Sequence, residues 1–452
     1  MTEVLPEDNE RLDAFRRALK GREQQVIDAV EHSRQTLATD GLLLLDNPGV
    51  PLRPLFLSRK RLDFICQMLH RNMKALGAAI ADQLDVPETT EDLFPFPRDF
   101  LSAVDSQAVL RSQGFGLIMR PDGFLFDDRF AVSEPNHANG YLISATYPEA
   151  VYSVFEASPA LAQFEIKAHV VRPLARILAM LKRQLPVPHP KGRPRIALFW
   201  HSEEHAIIKD WNARTQGILA WLPKALEKDG WDVVFAHEDE LDVDRKGRCI
   251  HEKRRVDLVL QIPIGTHFLY TPERFDKELA HLRGDHIGDA PFLQPLVNLA
   301  IDKGSMPLWQ TLPCWPAKQR GFRVEPIPTH FPSAERASEY RLERDAWVLK
   351  RSFEGKDTHA GISANSRVWN RALETAMATR EYVMQPYVRM STALMPVIYD
   401  GRIEWVDSSV ELSLFVIDGE YSGAFARFLP TGEGHVMSPP PPGMGFTLVY
   451  DC

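Results

Sequence analysis

The chain has 452 residues, of which 44% are hydrophobic and 25% charged, and its net charge is −8. This length exceeds that of one ordinary hydrophobic core, so we expect a folded globular protein with several domains. The acidic balance, without any run of basic residues, argues against nucleic acid or an anionic membrane surface as a partner. The apolar stretches are all far shorter than the roughly 20 residues that span a bilayer, so no membrane-spanning segment is expected.

The cysteines are far apart and form no C-x-x-C pair; they are Cys66, Cys249, Cys314 and Cys452. Such spacing is not typical of a zinc site or a disulfide framework, and free thiols fit a reducing compartment. The first residues are acidic rather than basic and apolar, so we expect no secretory signal. Together these features predict a cytoplasmic protein.

Residues 1–114 are predicted to form a helical N-terminal region. Apolar residues recur at helical spacing between residues 12 and 30, which predicts one helix that ends at Gly41. A second long helix is predicted at about 60–84, with six apolar residues along one face. Faces this regular usually pack against a core, so no chemistry is assigned to this region.

Residues 115–190 are predicted to contain two short strands followed by two helices. The apolar runs at 116–119 and 130–132 are expected to be neighbouring strands, because residues 123–128 between them contain turn-forming glycine and aspartate. The helices are expected within 148–185, before a connector rich in proline.

The ends of those two strands carry the best clue to function in the sequence. Arg120 and Asp122 are followed, after eleven residues, by Glu134 and Asn136. Carboxylate and amide oxygens are ligands of hard cations such as Mg²⁺, and an adjacent arginine would face the anion that the metal holds. The pattern predicts a metal site formed by Asp122, Glu134 and Asn136, with Arg120 beside it.

Residues 191–310 are predicted to form a parallel α/β lobe. The apolar runs at 195–200, 231–235 and 256–262 are typical of buried parallel strands, with a helix at about 212–228 after the first. Ligands in such lobes bind beyond the carboxyl ends of the strands. Polar residues just past the first strand are therefore candidate substrate contacts, and an ordinary solvated loop explains them equally well. They are His201, Glu203, Glu204 and Asn212.

Residues 311–452 are predicted to form a lobe of alternating helices and strands, with a proline run at 439–442 as a surface turn or lid edge. Lys350 ends a strand and precedes a loop with Gly355, so its ammonium group would reach phosphate oxygens that the loop covers. Glu354 in that loop is a further candidate metal ligand. The simpler alternatives are a lysine that extends to solvent and an ordinary loop carboxylate.

Two other segments carry candidate nucleotide contacts. One segment contains Lys303. The other is the strand with Met384 and Gln385, which Pro386 interrupts. Its backbone groups would meet an adenine edge, with Met384 and Tyr387 on the ring; a plain strand before a turn is the alternative. The chain lacks the P-loop, the dinucleotide-binding glycine motif and H-E-x-x-H.

Taken in order, these segments resemble the circularly permuted ATP-grasp amide-bond ligases, over residues from about 115 to 430. The likeness is greatest to the synthetase domain of glutathionylspermidine synthase and looser to eukaryotic glutathione synthetase. Its most specific part is the signature R-x-D, eleven residues, E-x-N. Residues 302–309 resemble the family's N-K-x-x-x-P-L-W segment, and residues 422–427 its late strand, whose arginine would be Arg427.

The resemblance implies a mixed α/β, circularly permuted ATP-grasp fold that uses ATP and two Mg²⁺ ions. It implies an ADP-forming ligase that activates a small carboxylic acid as an acyl phosphate and joins it to an amine. The implied catalytic residues are Arg120 and Arg427; the ATP contacts are Lys303, Lys350, Gly355, Met384, Gln385 and Tyr387; and the metal ligands are Asp122, Glu134, Asn136 and Glu354.

The chain departs from the family in its phosphate loop, which lacks the glycine-rich G-R-E-G of the closest relatives, and in Asp302, which replaces asparagine. The acid and the amine are therefore not identified, and a homodimer is one of several open oligomeric states. Two alternatives stand beside the ligase: an ATP-grasp kinase that phosphorylates a small molecule, and a non-catalytic nucleotide-binding protein. The intact metal signature argues against the second.

Overall fold

A computed structural model describes most of the chain. The described residues are 3–39, 52–84, 117–136, 145–157, 171–186, 192–199, 218–237, 239–261, 286–293, 303–352, 358–379, 381–432, 434–437 and 444–452. Six candidate residues lie outside them, namely His201, Glu203, Glu204, Asn212, Glu354 and Gly355, as does the proline run at 439–442.

Helices and strands alternate through the described residues, which confirms the predicted mixed α/β class. The α-helices are α1 (Asn9–Leu19), α2 (Glu23–Thr39), α3 (Arg59–Leu84), α4 (Thr146–Ala157), α5 (Pro173–Arg183), α6 (Ile218–Lys228), α7 (Met306–Trp309), α8 (Ala337–Leu342) and α9 (Ser366–Thr379). Within the part of the chain that the structure describes, no helix is both long and apolar enough to cross a membrane.

The strands fall into sheets whose order differs from their order in the chain. They are β1 (Leu55–Leu57), β2 (Ile118–Met119), β3 (Asp122–Leu125), β4 (Arg129–Glu134), β5 (Arg195–Phe199), β6 (Asp232–Ala236), β7 (Asp242–Val243), β8 (Cys249–His251), β9 (Arg254–Arg255), β10 (Leu258–Gln261), β11 (His286–Ile287), β12 (Ala290–Leu293), β13 (Ala317–Gln319), β14 (Phe322–Pro326), β15 (Trp347–Arg351), β16 (Thr358–Ala360), β17 (Tyr382–Pro386), β18 (Ser391–Tyr399), β19 (Arg402–Ile417), β20 (Glu420–Pro430) and β21 (Gly445–Asp451).

Within the described residues, ten strands form the largest sheet. Eight follow the order β1-β21-β20-β19-β3-β4-β14-β13, and β18 and β2 pair with β19 outside this order. The long strand β19 is its centre: one edge pairs with β20, and the other edge pairs in turn with β18, β3 and β2. The β3–β4 hairpin lies between β19 and β14. The segment with Asp122 and Glu134 therefore lies inside the sheet rather than at its edge.

The hairpin differs from the prediction in one respect. Residues 123–125, predicted to be part of a turn, belong to β3, and the run at 118–119 pairs with β19 instead of β4. Gly123 allows this close pairing, because a Cβ atom there would lie 2.6 Å from both the Ala131 carbonyl oxygen and the Phe130 ring. A register irregularity beside Gly123 then places Asp122 opposite Glu134.

Helix α3 packs across this sheet, close to its predicted bounds. All six predicted apolar residues are buried, namely Leu62, Ile65, Leu69, Met73, Leu76 and Ile80. The prediction of one long helix before it is wrong, because Gly21 separates α1 from α2. Gly21 has a φ of 79°, a left-handed conformation that favours glycine and ends a helix.

A second sheet, in the order β11-β12-β10-β5-β6, contains the three apolar strands predicted within residues 191–310. Strand β5 pairs in parallel with β6 and β10, and β10 pairs in parallel with β12. Helices α5 and α6 bury apolar side chains, including Ile177 and Leu226, against this sheet.

A third, antiparallel sheet of β16-β15-β17 carries Lys350 and Gln385. Its core forms against α8 and α9, where Leu349 packs with Tyr340 and Trp369. Lys350 and Gln385 both reach the Ser133 carbonyl on β4, at 3.4 and 3.3 Å, so this sheet meets the largest sheet at the predicted metal signature.

Truncation of Leu69 tests how α3 packs. Leu69→Ala removes a fully buried side chain, so we expect the free energy of unfolding to fall by about 2–5 kcal/mol. Lys74→Ala on the exposed face of the same helix is the matched control and should change it by less than about 0.5 kcal/mol. Urea unfolding followed by circular dichroism measures both, and equal losses would contradict the assigned buried face.

Candidate active site

A cavity opens where the ten-stranded sheet faces the three-stranded sheet. Its polar lining consists of Ser133, Glu134, Lys350, Thr358, Gln385, Tyr387, Glu411, Arg427 and His435. Its apolar lining consists of Phe124, Ile327, Val348, Pro386, Val388, Met390, Val436 and Met437. Ligand pockets are commonly lined in this way, with a few convergent polar groups in apolar surroundings.

Strand register assembles the charged part of this cavity. Asp122 on β3 lies opposite Ser413 on β19 and Glu134 on β4. Two residues before Ser413 in β19, Glu411 lies opposite Arg427 on β20. Because directly opposed residues place their side chains on the same face of a sheet, one face collects the side chains from four strands.

Asp122 is the most heavily hydrogen-bonded of these groups. Its Oδ1 atom accepts a hydrogen bond of 2.6 Å from the Ser413 hydroxyl. Its Oδ2 atom accepts N–H groups from Arg120 at 2.9 Å, Asn136 at 2.6 Å and Arg427 at 2.7 Å. The structure thus brings together four residues that the sequence singled out.

The turn at Asn136 completes this arrangement. Asn136 has a φ of 36°, a left-handed conformation that asparagine tolerates better than most residues. The Arg120 backbone N–H donates to the Asn136 carbonyl at 2.8 Å. The two ends of the predicted signature are therefore joined through the backbone as well as through Asp122.

Glu134 lies between the two predicted ATP lysines. Its Oε1 atom is 3.5 Å from the Lys350 ammonium nitrogen and 3.8 Å from that of Lys303. Burial alone would raise the pKa of Glu134, but the charges of the two lysines, together with Arg427 and Arg120, lower it to about 2. Glu134 is therefore ionised at any physiological pH.

Lys303 reaches this position through the backbone of the three-stranded sheet. It begins a short 3₁₀ helix (Lys303–Ser305), and its N–H group donates to the Ser352 carbonyl just after β15 at 3.2 Å. Lys350 leaves the same strand two residues earlier. The two lysines, far apart in the chain, are thus attached to one strand end.

Glu411 is a site residue that sequence reasoning missed. Its carboxylate is buried, accepts the Ser133 hydroxyl at 3.0 Å and lies 2.9 Å from an Arg427 guanidinium nitrogen. Burial raises the pKa of Glu411; Arg427 opposes this effect, and the charges of Asp122 and Glu134 reinforce it. The available signal was alternation in β19, where Glu411 and Ser413 are polar between apolar neighbours.

The predicted metal ligands fit a metal only in part. Glu134 faces the cavity, and its charge suits a cation. The Asp122 Oδ2 atom accepts three N–H groups, more than its two lone pairs, and Oδ1 accepts the Ser413 hydroxyl. Among the described residues, no three His, Cys, Asp or Glu side chains are grouped so that they could hold a metal ion.

The predicted adenine segment is placed unevenly around the cavity. Gln385 and Tyr387 line it. The Met384 side chain instead packs in the core with Tyr340 and Trp369, and its backbone N–H and carbonyl both bond to His330. The structure therefore does not bring Met384 to the cavity, because β17 turns this side chain towards α9.

Gln385 and Tyr387 also have partners within the protein. The Gln385 amide donates to the Thr329 hydroxyl at 3.0 Å as well as to the Ser133 carbonyl, which ties β17 to β4. The Tyr387 hydroxyl lies 3.0 Å from a ring nitrogen of His435. His435 and the two residues after it form a wall of the cavity that no sequence motif indicated.

With this geometry established, comparison with known proteins shows where the fold recurs. A glutathione synthetase-like effector from Globodera pallida, in its apo form, matches with a TM-score of 0.53 and 13% sequence identity, over 96% of this chain and 99% of that chain. At this identity, the match shows a similar fold.

Other comparisons add little. D-alanyl-alanine synthetase A from Vibrio cholerae matches with a TM-score of 0.29 and 13% identity, over 58% of this chain and 89% of that chain, and this score is too low to indicate a shared fold. No protein-family model and no curated protein matches the chain. The circular permutation and the division into four regions stay predictions.

The environment of Glu134 predicts a pH-dependent contribution to stability. Its pKa of about 2 lies below the ordinary value of 4.5, so ionised Glu134 stabilises the fold above pH 4.5, and this stabilisation is lost as the pH falls towards 2. Glu134→Gln should lower the free energy of unfolding at neutral pH by about 1–3 kcal/mol, since two buried lysines lose their partner.

Urea unfolding of the wild type and Glu134→Gln over a pH series measures this effect. The gap between their free energies of unfolding should narrow as the pH falls below 4.5. Glu374→Gln is the control, because the Glu374 side chain is 65% exposed. A gap that widens on acidification would contradict the assigned pairing of Glu134 with the lysines.

Proposed function

We propose that this protein is an ATP- and Mg²⁺-dependent ligase of the ATP-grasp type, which forms an amide bond between a small carboxylic acid and an amine. The observation that carries the proposal is a cluster of two lysines and two arginines at one cavity. Lys350 and Arg427 line the cavity, while Lys303 lies beside Glu134 and Arg120 beside Asp122. ATP and an acyl phosphate are both polyanions, so this cluster of cations suits them. The fold similarity to a glutathione synthetase-like protein supports the proposal.

The reaction would run in two steps. An oxygen of the substrate carboxylate attacks the γ-phosphorus of ATP, which forms an acyl phosphate and releases ADP. The amine then attacks the acyl carbon, which forms the C–N bond and releases phosphate and a proton. Both steps are limited by positioning and by charge stabilisation, which fixed cationic side chains supply.

The lysines and arginines divide these tasks. Lys303 and Lys350 are placed to neutralise phosphate oxygens of ATP, because Lys350 lines the cavity and both ammonium groups lie within 4 Å of Glu134. Arg120 and Arg427, both held by Asp122, would bind the carboxylate and then the oxyanion that develops at the acyl carbon. Mg²⁺, when bound, would add positive charge at the phosphates, and Glu134, Asn136 and Glu354 are the residues proposed to hold it.

The apolar part of the cavity would take the adenine ring. Phe124, Ile327, Val388 and Met437 supply apolar surface there. Pro386 lies at a position of β17 between two hydrogen-bonded pairs with β15, since the Tyr387 N–H bonds to Ala346. Its carbonyl therefore points away from β15 and is our candidate acceptor for the adenine amino group, in place of the Met384 backbone.

A screen for ADP release tests the proposal. Pairs of carboxylic acids and amines would be supplied with ATP and Mg²⁺, and products identified by mass spectrometry. ADP release that requires both an acid and an amine supports the ligase. A stable phosphorylated product formed without an amine would establish the kinase alternative, and calorimetry that detects no ATP binding with Mg²⁺ would overturn both enzyme proposals.

Single variants test the assigned lysine. Lys350→Ala should lower kcat/KM for ATP by about 100-fold or more, because it removes a positioned charge from the phosphates. Lys318→Ala, at an exposed position of β13, is the matched control and should leave kcat/KM unchanged. Coupled ADP-release kinetics measure both variants. Near wild-type turnover in Lys350→Ala would contradict its phosphate role.

A further inference from the structure

Asp122 is buried against Arg427, which lines the cavity, and against Arg120. We propose that it positions these two arginines and is not a metal ligand. The inference rests on the proposed function and deepens it. It assigns this carboxylate to an anion-binding unit formed by Arg120, Asp122 and Arg427. The ligand class for this unit is an oxyanion, either a carboxylate or a phosphoryl group.

The hydrogen bonds of Asp122 oppose metal binding. An ionised carboxylate offers about four lone-pair positions. Those of Asp122 receive the Ser413 hydroxyl on one oxygen and three N–H donors, from Arg120, Asn136 and Arg427, on the other. A metal ion could bind Oδ2 only by displacing one of these donors. Oδ1 accepts the Ser413 hydroxyl and belongs to a fully buried side chain.

Asp122 is also more deeply buried than its neighbours. The Asp122 side chain is 1% exposed, whereas those of Arg120 and Arg427 are 12% and 14% exposed. The Glu134 side chain is 19% exposed. Arg427 and Glu134 line the cavity, whereas Asp122 is buried against the two arginines, where a hydrated cation that enters the cavity does not reach it.

The charges around Asp122 also disfavour a metal ion. Two guanidinium groups lie within hydrogen-bonding distance of the same Asp122 oxygen, and they would repel each other without it. A divalent cation on that oxygen would add a third positive centre beside both guanidinium groups. Anchoring two arginines and binding a metal are therefore competing roles for this atom, and the structure is arranged for the first.

Two neighbours complete the anchor. The Arg427 nitrogen that donates to Asp122 also lies 2.9 Å from Glu411, so carboxylates on β3 and β19 hold one guanidinium from two sides. Ser413 in turn fixes Asp122, and Ser133 fixes Glu411. The orientation of Arg427 is thus set before a ligand binds, which lowers the cost of reorganisation during the reaction.

Two binding measurements on the full-length protein separate the roles. Mn²⁺ affinity, with ADP present, would be measured by electron paramagnetic resonance, and the affinity for inorganic phosphate by calorimetry. For Asp122→Asn we expect phosphate affinity to fall about tenfold or more, because both arginines lose a charged anchor. Its Mn²⁺ affinity should stay within about threefold of the wild type.

Ser413→Ala keeps the carboxylate and therefore tests the anchor if Asp122→Asn fails to fold. It should weaken phosphate binding and leave Mn²⁺ binding unchanged. Glu134→Gln is the contrasting variant, in which Mn²⁺ affinity should fall. Once the substrates are known, Asp122→Asn should raise KM for the acid without changing the Mg²⁺ concentration that gives half-maximal activity.

An Asp122→Asn protein that loses Mn²⁺ affinity as strongly as Glu134→Gln would overturn the proposal. So would a wild-type protein that binds no phosphate, or a Ser413→Ala protein that binds phosphate as well as the wild type. If instead Glu134→Gln retains full Mn²⁺ affinity, the metal assignment of the proposed function fails and the role of Asp122 stands.

Discussion

Repulsion between like charges is the constraint on which the candidate site depends. Two lysines and two arginines lie in one cluster at the cavity, where a pair of unit charges 4 Å apart interacts by about 4 kcal/mol at an effective dielectric constant of 20. Three carboxylates offset this repulsion, with Glu134 between the lysines and with Asp122 and Glu411 on the arginines. When all seven groups are ionised, one positive charge remains in excess. The carboxylates thus keep the cations close together before a ligand binds, and the excess positive charge attracts an anion.

The sheet makes this balance possible because it brings distant segments into register. Strand β19 pairs with β20 on one edge and with β3 on the other, so Arg427 and Asp122 approach the same strand from opposite sides. Lys350 comes from a separate sheet and Lys303 from the 3₁₀ helix bonded to the end of that sheet's strand β15, and both lie near Glu134. The cations that would neutralise phosphate and those that would hold a carboxylate thus come from different layers.

Much of this arrangement is predictable from local patterns, and the remainder depends on non-local contacts. The face of α3, the parallel lobe and the convergence of the signature residues follow from periodicity, apolar runs and residue chemistry. Glu411 has no motif around it, and only its pairing with Arg427 on the next strand reveals its role. Met384 was misplaced because the direction of a strand side chain depends on register, which a single segment does not determine. The break at Gly21 was missed because apolar spacing alone continues across it.

Strand β19 is paired on both edges at the level of the site, and this has a consequence for sequence change. Glu411 and Ser413 occupy alternate positions of one strand, and each partner lies on a different neighbour. Because side chains alternate between the two faces of a strand, insertion or deletion of a single codon upstream in β19 would turn both residues to the opposite face. Loops between the outer helices can change length without such an effect. We therefore expect length variation among natural homologues to avoid β19.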